Sequence, residues 1–157
     1  MPLEIERKFL LKKVPYNLKP DEVITIEQYY CSKNKELDFR IRKSINSLKE
    51  AIYTKTTKKR LSPGVFEELE LNITESQFKK YLKFAKSEIK KIRYIKKVGK
   101  LKWEIDFYTN IHLLVAEIEL PDIKYPIKIP KFISENLIME ITDIKQFSNK
   151  SLSNLLN

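Results

Sequence analysis

Alternation of charged and apolar residues runs through most of this chain and restricts its fold more than any other feature. In "LEIERKF", Glu4, Glu6 and Lys8 alternate with Leu3, Ile5 and Phe9. An extended strand points successive side chains to opposite faces, so charge and hydrocarbon separate onto two sides. The pattern recurs: Arg40 and Arg42 against Phe39 and Ile41, Glu68 and Glu70 against Leu69 and Leu71, Lys91 and Arg93 against Ile92 and Tyr94. It returns with Glu104 and Asp106 against Trp103, Ile105 and Phe107, and with Glu117 and Glu119 against Ile118 and Leu120. Alternation predicts strands over 2–11, 23–31, 36–45, 48–58, 65–73, 89–97, 100–108 and 112–121, about eight in all. The links carry Pro20, Asn46 with Ser47, Pro63 with Gly64, and Gly99. Such short turns join antiparallel neighbours, because a parallel crossover needs a dozen or more residues.

One segment departs from the rhythm. In "TESQFKKYLKFAKS", Phe78, Tyr81, Leu82 and Ala85 fall on one helical face, and Thr74 with Gln77 forms a capping box. The tail adds further helical spacing: "KFISENLIME" reads as a helix, and "TDIKQFSNKSLSNLL" reads as another, capped by Thr142 or Asp143 and carrying Phe147, Leu152, Leu155 and Leu156. The fold class is therefore α+β and strand-dominated, and the strand count suits a barrel or a sandwich. With no internal repeat or low-complexity linker, the 157 residues form a single domain, 1–157.

The decisive question is which face looks inward. Antiparallel sheets commonly turn a polar face to water, and any one of these strands is accounted for that way. The set is not, because same-sign pairs are segregated by strand, and like charges side by side are destabilising unless something neutralises them. Paired Glu residues ask for a cation and paired Arg residues for an anion. A metal-complexed polyphosphate satisfies both. In a closed barrel the charges can line a lumen while the apolar rows pack outward against helices or a second chain. Unpaired ions buried there would cost several kcal/mol each, on the order seen for buried charges generally.

Composition narrows the ligand. Lys plus Arg number 31 against 21 Asp plus Glu, a formal charge of +10 that favours polyanions, although a chain rich in Lys, Ile and Asn acquires such an excess without selection for binding. Cys31 and His112 are the sole cysteine and histidine, which excludes an intramolecular disulfide and a zinc site of several sulfur and imidazole ligands. A metal here is held by carboxylates, which suits Mg²⁺ or Mn²⁺. No basic-then-apolar leader or long apolar run is visible, so a cytoplasmic setting without a membrane is expected. Trp103 and Cys31 read as core residues, and His112 as a surface residue at a strand start.

The order of these motifs resembles the CYTH family, the triphosphate tunnel metalloenzymes. "EIERK" is similar to its E-x-E-x-K signature, "IEQYY" to I-x-Q-x-Y, "FRIR" to R-x-R, "TTK" to T-x-K, "EELE" to E-x-E, "KIRY" to K-x-R-Y, "WEID" to E-x-D, "VAEIEL" to A-E-x-E-L, and "EITDIKQFSNKSL" to the closing helix with Asn149. The match spans roughly residues 3–152. Phe66 departs from it, standing where the family often has Arg, and "YTKTTKK" admits Lys55 as well as Lys58 as the T-x-K lysine. The resemblance implies a closed eight-stranded antiparallel β-barrel binding a triphosphate with Mg²⁺ or Mn²⁺. It implies phosphate binding by Lys8, Arg40, Arg42, Lys58, Lys91 and Arg93, and metal binding by Glu4, Glu6, Glu117 and Glu119. Glu68, Glu70 and Asp106 would serve a second metal or orient water, and Lys8, Tyr30 and Lys91 would be catalytic. The leading expectation is hydrolysis of inorganic triphosphate to pyrophosphate and phosphate. The alternatives are a class IV adenylate cyclase, a thiamine triphosphatase, and a non-enzymatic polyphosphate- or nucleic-acid-binding module. The expected partner is a small triphosphate rather than a specific nucleic acid, and the outward apolar rows suggest a homodimer.

Overall fold

The structure, a computed structural model, describes residues 2–33 and 38–156. The described strands are β1 (Leu3–Leu11), β2 (Glu22–Cys31), β3 (Phe39–Ile45), β4 (Ala51–Ser62), β5 (Val65–Ile73), β6 (Ala85–Val98), β7 (Leu101–Tyr108), β8 (Leu113–Glu119) and β9 (Leu137–Glu140). Three short helices accompany them: α1 (Glu75–Tyr81), α2 (Lys131–Ser134) and α3 (Asn149–Ser153). Each of the eight alternating segments contains a strand; of the one expected over 36–45, residues 36 and 37 lie outside the described residues.

Antiparallel pairing runs in the order β5-β4-β3-β2-β6-β7-β8-β1, and pairing of β1 with β5 closes the ring. This is the closed eight-stranded barrel with a few flanking helices. The free edge of β1 is shared: Leu3, Glu4 and Ile5 pair with β5, and Phe9, Leu10 and Leu11 pair with β9. Register carries the charged rows to one common face. Lys8 lies opposite Glu117, Glu117 opposite Glu104, Arg93 opposite Asp106, Tyr30 opposite Arg40, and Lys58 opposite Glu68.

The other face is greasy and mostly covered by the chain itself. Outward residues of β1, β7 and β8, among them Phe9, Trp103, Ile105, Ala116 and Ile118, are buried with Leu18, Leu120 and Ile133 from the connecting segments. On the β2–β3 side, Cys31, Phe39 and Ile41 are buried against Phe78 of α1. Burying each such side chain contributes about 1.5–3 kcal/mol. A third apolar cluster, Ile89, Tyr108, Val115, Ile141 and Leu152, gathers inward positions of β6, β7 and β8 beneath the C-terminal segment. Leu3, Leu69 and Leu71 remain exposed on the outer face.

Local signals explain α1. Thr74 Oγ1 accepts from the Gln77 backbone N–H at 3.1 Å, and Gln77 Oε1 accepts from the Thr74 N–H at 2.9 Å, which is the expected capping box. The helix stops at Tyr81, earlier than its apolar face implies, because Ala85 and Ser87 pair with Cys31 and Tyr30 of β2.

The tail departs from its helical spacing twice. In "KFISENLIME" only Lys131–Ser134 is helical, and Leu137–Glu140 forms β9. The physical reason is the edge that β5 leaves unpaired on β1, whose backbone groups β9 satisfies. The last helix is capped by Ser148, whose hydroxyl accepts from the Ser151 N–H, rather than by Thr142 or Asp143. Thr142 Oγ1 instead accepts from the Lys8 N–H at 3.0 Å, and Asp143 adopts φ +58°, a turn conformation that ends any helical run there. Among the described residues no helix is long and apolar enough to cross a membrane.

Candidate active site

The charged rows surround a cavity of about 780 Å³ inside the barrel. Strand β1 supplies Glu4, Glu6 and Lys8, β2 supplies Tyr30, β3 supplies Arg40 and Arg42, β4 supplies Lys58, and β5 supplies Glu68 and Glu70. Arg93 of β6, and Glu117 and Glu119 of β8 beside β1, complete the ring. Two residues expected at the site, Lys91 and Asp106, lie behind this lining with fully buried side chains. Lys58 faces the lumen, whereas Lys55 is held outside over the rings of Phe39 and Tyr81.

Asp106 anchors the cationic wall. Its Oδ2 accepts from Lys91 Nζ at 2.7 Å and from Arg93 NH2 at 2.9 Å, and its Oδ1 accepts from Arg93 Nε at 2.7 Å. Arg93 NH1 also reaches Glu104 at 2.8 Å. Burial alone would raise the Asp106 carboxyl, but Arg93 and Lys91 overcome it and hold the group far below the usual carboxylate range. Burial pushes the Lys91 ammonium down, against the pull of Asp106 and with help from the Arg93 and Arg42 charges. The guanidinium of Arg93 is thereby fixed at the cavity wall by Asp106 from behind and by Glu104, which itself lines the cavity.

The β3 arginines are less satisfied. Arg42 donates from Nε and NH2 to the single oxygen Gln28 Oε1, at 3.0 and 2.9 Å, and makes no ion pair among the described residues. Burial, then the Arg40 and Arg93 charges, push it down to about 10. Arg40 has one long ion pair, to Glu68 at 3.6 Å, and its buried Nε has no acceptor among the described residues. These guanidiniums face the same cavity with donor capacity to spare.

The carboxylates show the complementary strain. Glu6 is pushed up to about 8 by burial, then by the Glu117 charge, with Glu4 adding to it. Glu68 is likewise pushed up to about 8 by burial and by its contact with Glu4. Burial works against ionised Glu4, but hydrogen bonds from Glu68 and Glu6, and the Lys58 charge, hold it low. Lys58 Nζ sits 3.0 Å from Glu4 and 3.7 Å from Glu6, and Lys8 Nζ sits 3.3 Å from Glu117. Glu119 lies exposed at the mouth, raised by burial and by Glu4 and Glu104. Glu70 also lies toward solvent, accepting from Thr56 at 3.4 Å. Among the described residues no three acidic, thiol or imidazole groups form a ready-made metal cluster.

Several lining or supporting residues were not expected. Gln28 is fully buried; its Nε2 donates to Tyr30 OH at 2.9 Å while its Oε1 receives Arg42, so one amide orients both. Arg60, Lys102, Thr142, Asp143, Lys145 and Lys150 also line the cavity. The alternation of Lys58 with Arg60 was a usable signal for the first of these; the C-terminal residues carry none, because a turn has no period.

No family model matches the chain, and no curated protein matches it. Solved structures do match. The inorganic triphosphatase NE1496 aligns over 95% of this chain and 96% of its own, with 21% identity and a TM-score of 0.60. The PH1819 protein from Pyrococcus horikoshii aligns over 77% of this chain and 80% of its own, with 18% identity and a TM-score of 0.62. The chain shares their fold. HpAC1 from Hippeastrum, named for adenylyl cyclase and described with a dominant triphosphatase activity, aligns over 76% of this chain and 80% of its own, at 15% identity and a TM-score of 0.51. The tunnel architecture implied by the CYTH motifs is the architecture of this chain.

Proposed function

We propose that this protein hydrolyses a triphosphate in its tunnel with the help of a divalent cation, inorganic triphosphate being the substrate. One observation carries the reading: guanidiniums short of acceptors and carboxylates pushed up by burial and by one another face the same cavity. A simple anion would relieve only the first, and a simple cation only the second. Phosphoryl transfer is mainly positioning and neutralisation of charge, which this lining supplies.

In this reading Arg40, Arg42, Lys58, Lys8 and Arg93 hold phosphate oxygens, and Lys91 with Asp106 positions Arg93 from behind. Glu4, Glu6, Glu117 and Glu119 would hold Mg²⁺ or Mn²⁺, with Glu68 and Glu70 serving a second ion or the attacking water. The donor set fits: all are hard oxygens, and the upward push that burial and neighbouring carboxylates exert on Glu6 and Glu68 marks a surplus of negative charge. A preformed cluster is not required, because Mg²⁺ is commonly bound by one or two carboxylates together with substrate phosphates. Held there by these carboxylates, such an ion would supply charge neutralisation to the phosphate oxygens. Tyr30 receives the Gln28 amide hydrogen, which leaves its own O–H free to donate to substrate or water.

The test is product analysis. Purified protein with Mg²⁺ or Mn²⁺ should release phosphate and pyrophosphate from tripolyphosphate, and Arg42→Ala should lower kcat/KM by about 100-fold or more. Cyclic AMP with pyrophosphate as the dominant products from ATP would replace the hydrolase by a cyclase. Binding of tripolyphosphate without turnover would leave a polyphosphate-binding module.

A further inference from the structure

At one mouth of the cavity three parts of the chain meet: the β4–β5 hairpin, β1, and the turn that follows β9. The Glu6 N–H donates to Gly64 O at 2.9 Å, and the Gly64 Cα packs so closely that an added Cβ would lie 3.2 Å from Thr142 Cγ2. Arg60 stands on β4 two residues beyond Lys58, in register with Phe66 of β5. Both side chains line the cavity, and Lys58 Nζ rests 4.2 Å from the Phe66 ring centroid. The wall at β5 is therefore aromatic at this level, and the guanidinium there comes from β4.

That guanidinium is held in a fork by Asp143. Arg60 Nε donates to Asp143 Oδ1 at 2.6 Å, and NH2 donates to Oδ2. The Arg60 side chain is half exposed, at 52%. Asp143 is 21% exposed and the fork is well aligned, but with the guanidinium half in water the charge attraction is screened, so a ligand of higher charge can exchange for the carboxylate. A phosphate presents the same bidentate geometry to arginine with more charge than a carboxylate.

We propose that Arg60 is a further phosphate-binding residue at the tunnel mouth, and that Asp143 is its resting partner, displaced when the outermost phosphate of a bound triphosphate takes the guanidinium. The inference rests on the triphosphate reading above and adds a residue to it. Asp143 keeps Arg60 extended over the mouth and at the same time competes with the substrate for it. The two residues thus have opposite effects on affinity, which a purely structural ion pair does not produce.

The experiment is calorimetric titration of tripolyphosphate with Mg²⁺ into the full chain and its variants at low ionic strength, with thermal unfolding as a check on folding. Arg60→Ala should weaken binding about tenfold and Arg60→Lys by less, because the charge stays while the fork is lost. Asp143→Asn should tighten binding several-fold in the wild-type background, and the double variant should bind like Arg60→Ala. Unchanged or weaker binding by folded Asp143→Asn overturns the proposal, as does tightening that persists when Arg60 is absent. A wild-type protein that binds no tripolyphosphate overturns the triphosphate reading itself and this proposal with it.

Discussion

Glu6 has its protonation set by its neighbours rather than by water. Its folded value of about 8 stands above the ordinary 4.5, so between those values the native state binds more protons than the unfolded chain. Stability from this group is present at low pH and is lost as pH rises through that window. Glu6→Gln keeps the shape and removes the charge. Without divalent ions it should stabilise the protein at pH 8 by on the order of 1–3 kcal/mol and change it little near pH 4.5. Urea unfolding at the two pH values measures the difference, and an equal shift at both would contradict this account. Asp106 behaves oppositely, because its charge is fully used by Lys91 and Arg93. Asp106→Asn strands the buried Lys91 and leaves Arg93 to Glu104 and Glu117, and should destabilise by about 3–5 kcal/mol, read from the urea midpoint. These two carboxylates sit on similar alternating strands, and the sequence assigned both to the inner face. What it could not assign was depth: Asp106 is fully buried against Lys91 and Arg93, a tertiary fact rather than a local pattern.

Among whole elements, the β4–β5 hairpin and the β6–β7 hairpin make a controlled pair. Each turns through a glycine at positive φ, Gly64 at +71° and Gly99 at +61°. A Cβ at Gly64 would lie 2.7 Å from the backbone oxygen of Glu6, whereas at Gly99 nothing lies within 4 Å. Gly99→Ala should cost about 1 kcal/mol, the left-handed penalty alone. Gly64→Ala should cost about 2–4 kcal/mol because the backbone must also give way. Equal unfolding midpoints for the two variants would show that β1 yields freely at the mouth. The strands were legible because a period of two over seven or more residues has few rival explanations. The tail was not: "LIME" is four residues long, and its pairing with β1 depends on where β5 stops, a tertiary fact. The same holds for α3, which starts only after Ser148, well beyond Thr142, whose hydroxyl is engaged with Lys8 and Glu140.

The barrel as a whole is closed by its thinnest pairing. β1 matches β5 at Leu3, Glu4 and Ile5 alone, while the other edge of β1 matches β8 continuously from Glu6 to Leu11. Outside this seam Leu3, Leu69 and Leu71 are exposed, and of the paired β1 residues only Ile5 packs against the apolar cluster. Inside, Lys58 of β4 reaches across to Glu4 and Glu6 of β1, and Glu4 meets Glu68 of β5. The seam is held by charges facing the lumen, and those are the groups proposed to bind phosphate and metal. Local opening is governed by such few-contact regions rather than by the global stability. Amide hydrogen exchange should therefore be faster for residues 3–5 and 65–67 than for the centres of β6, β7 and β8. Adding tripolyphosphate with Mg²⁺ should slow the seam more than the rest, because a ligand that bridges β1, β4 and β5 stabilises only the closed ring. If the ligand binds tightly yet leaves exchange at 3–5 and 65–67 unchanged, the triphosphate does not span the seam, and Glu4, Lys58 and Glu68 do not belong to its site.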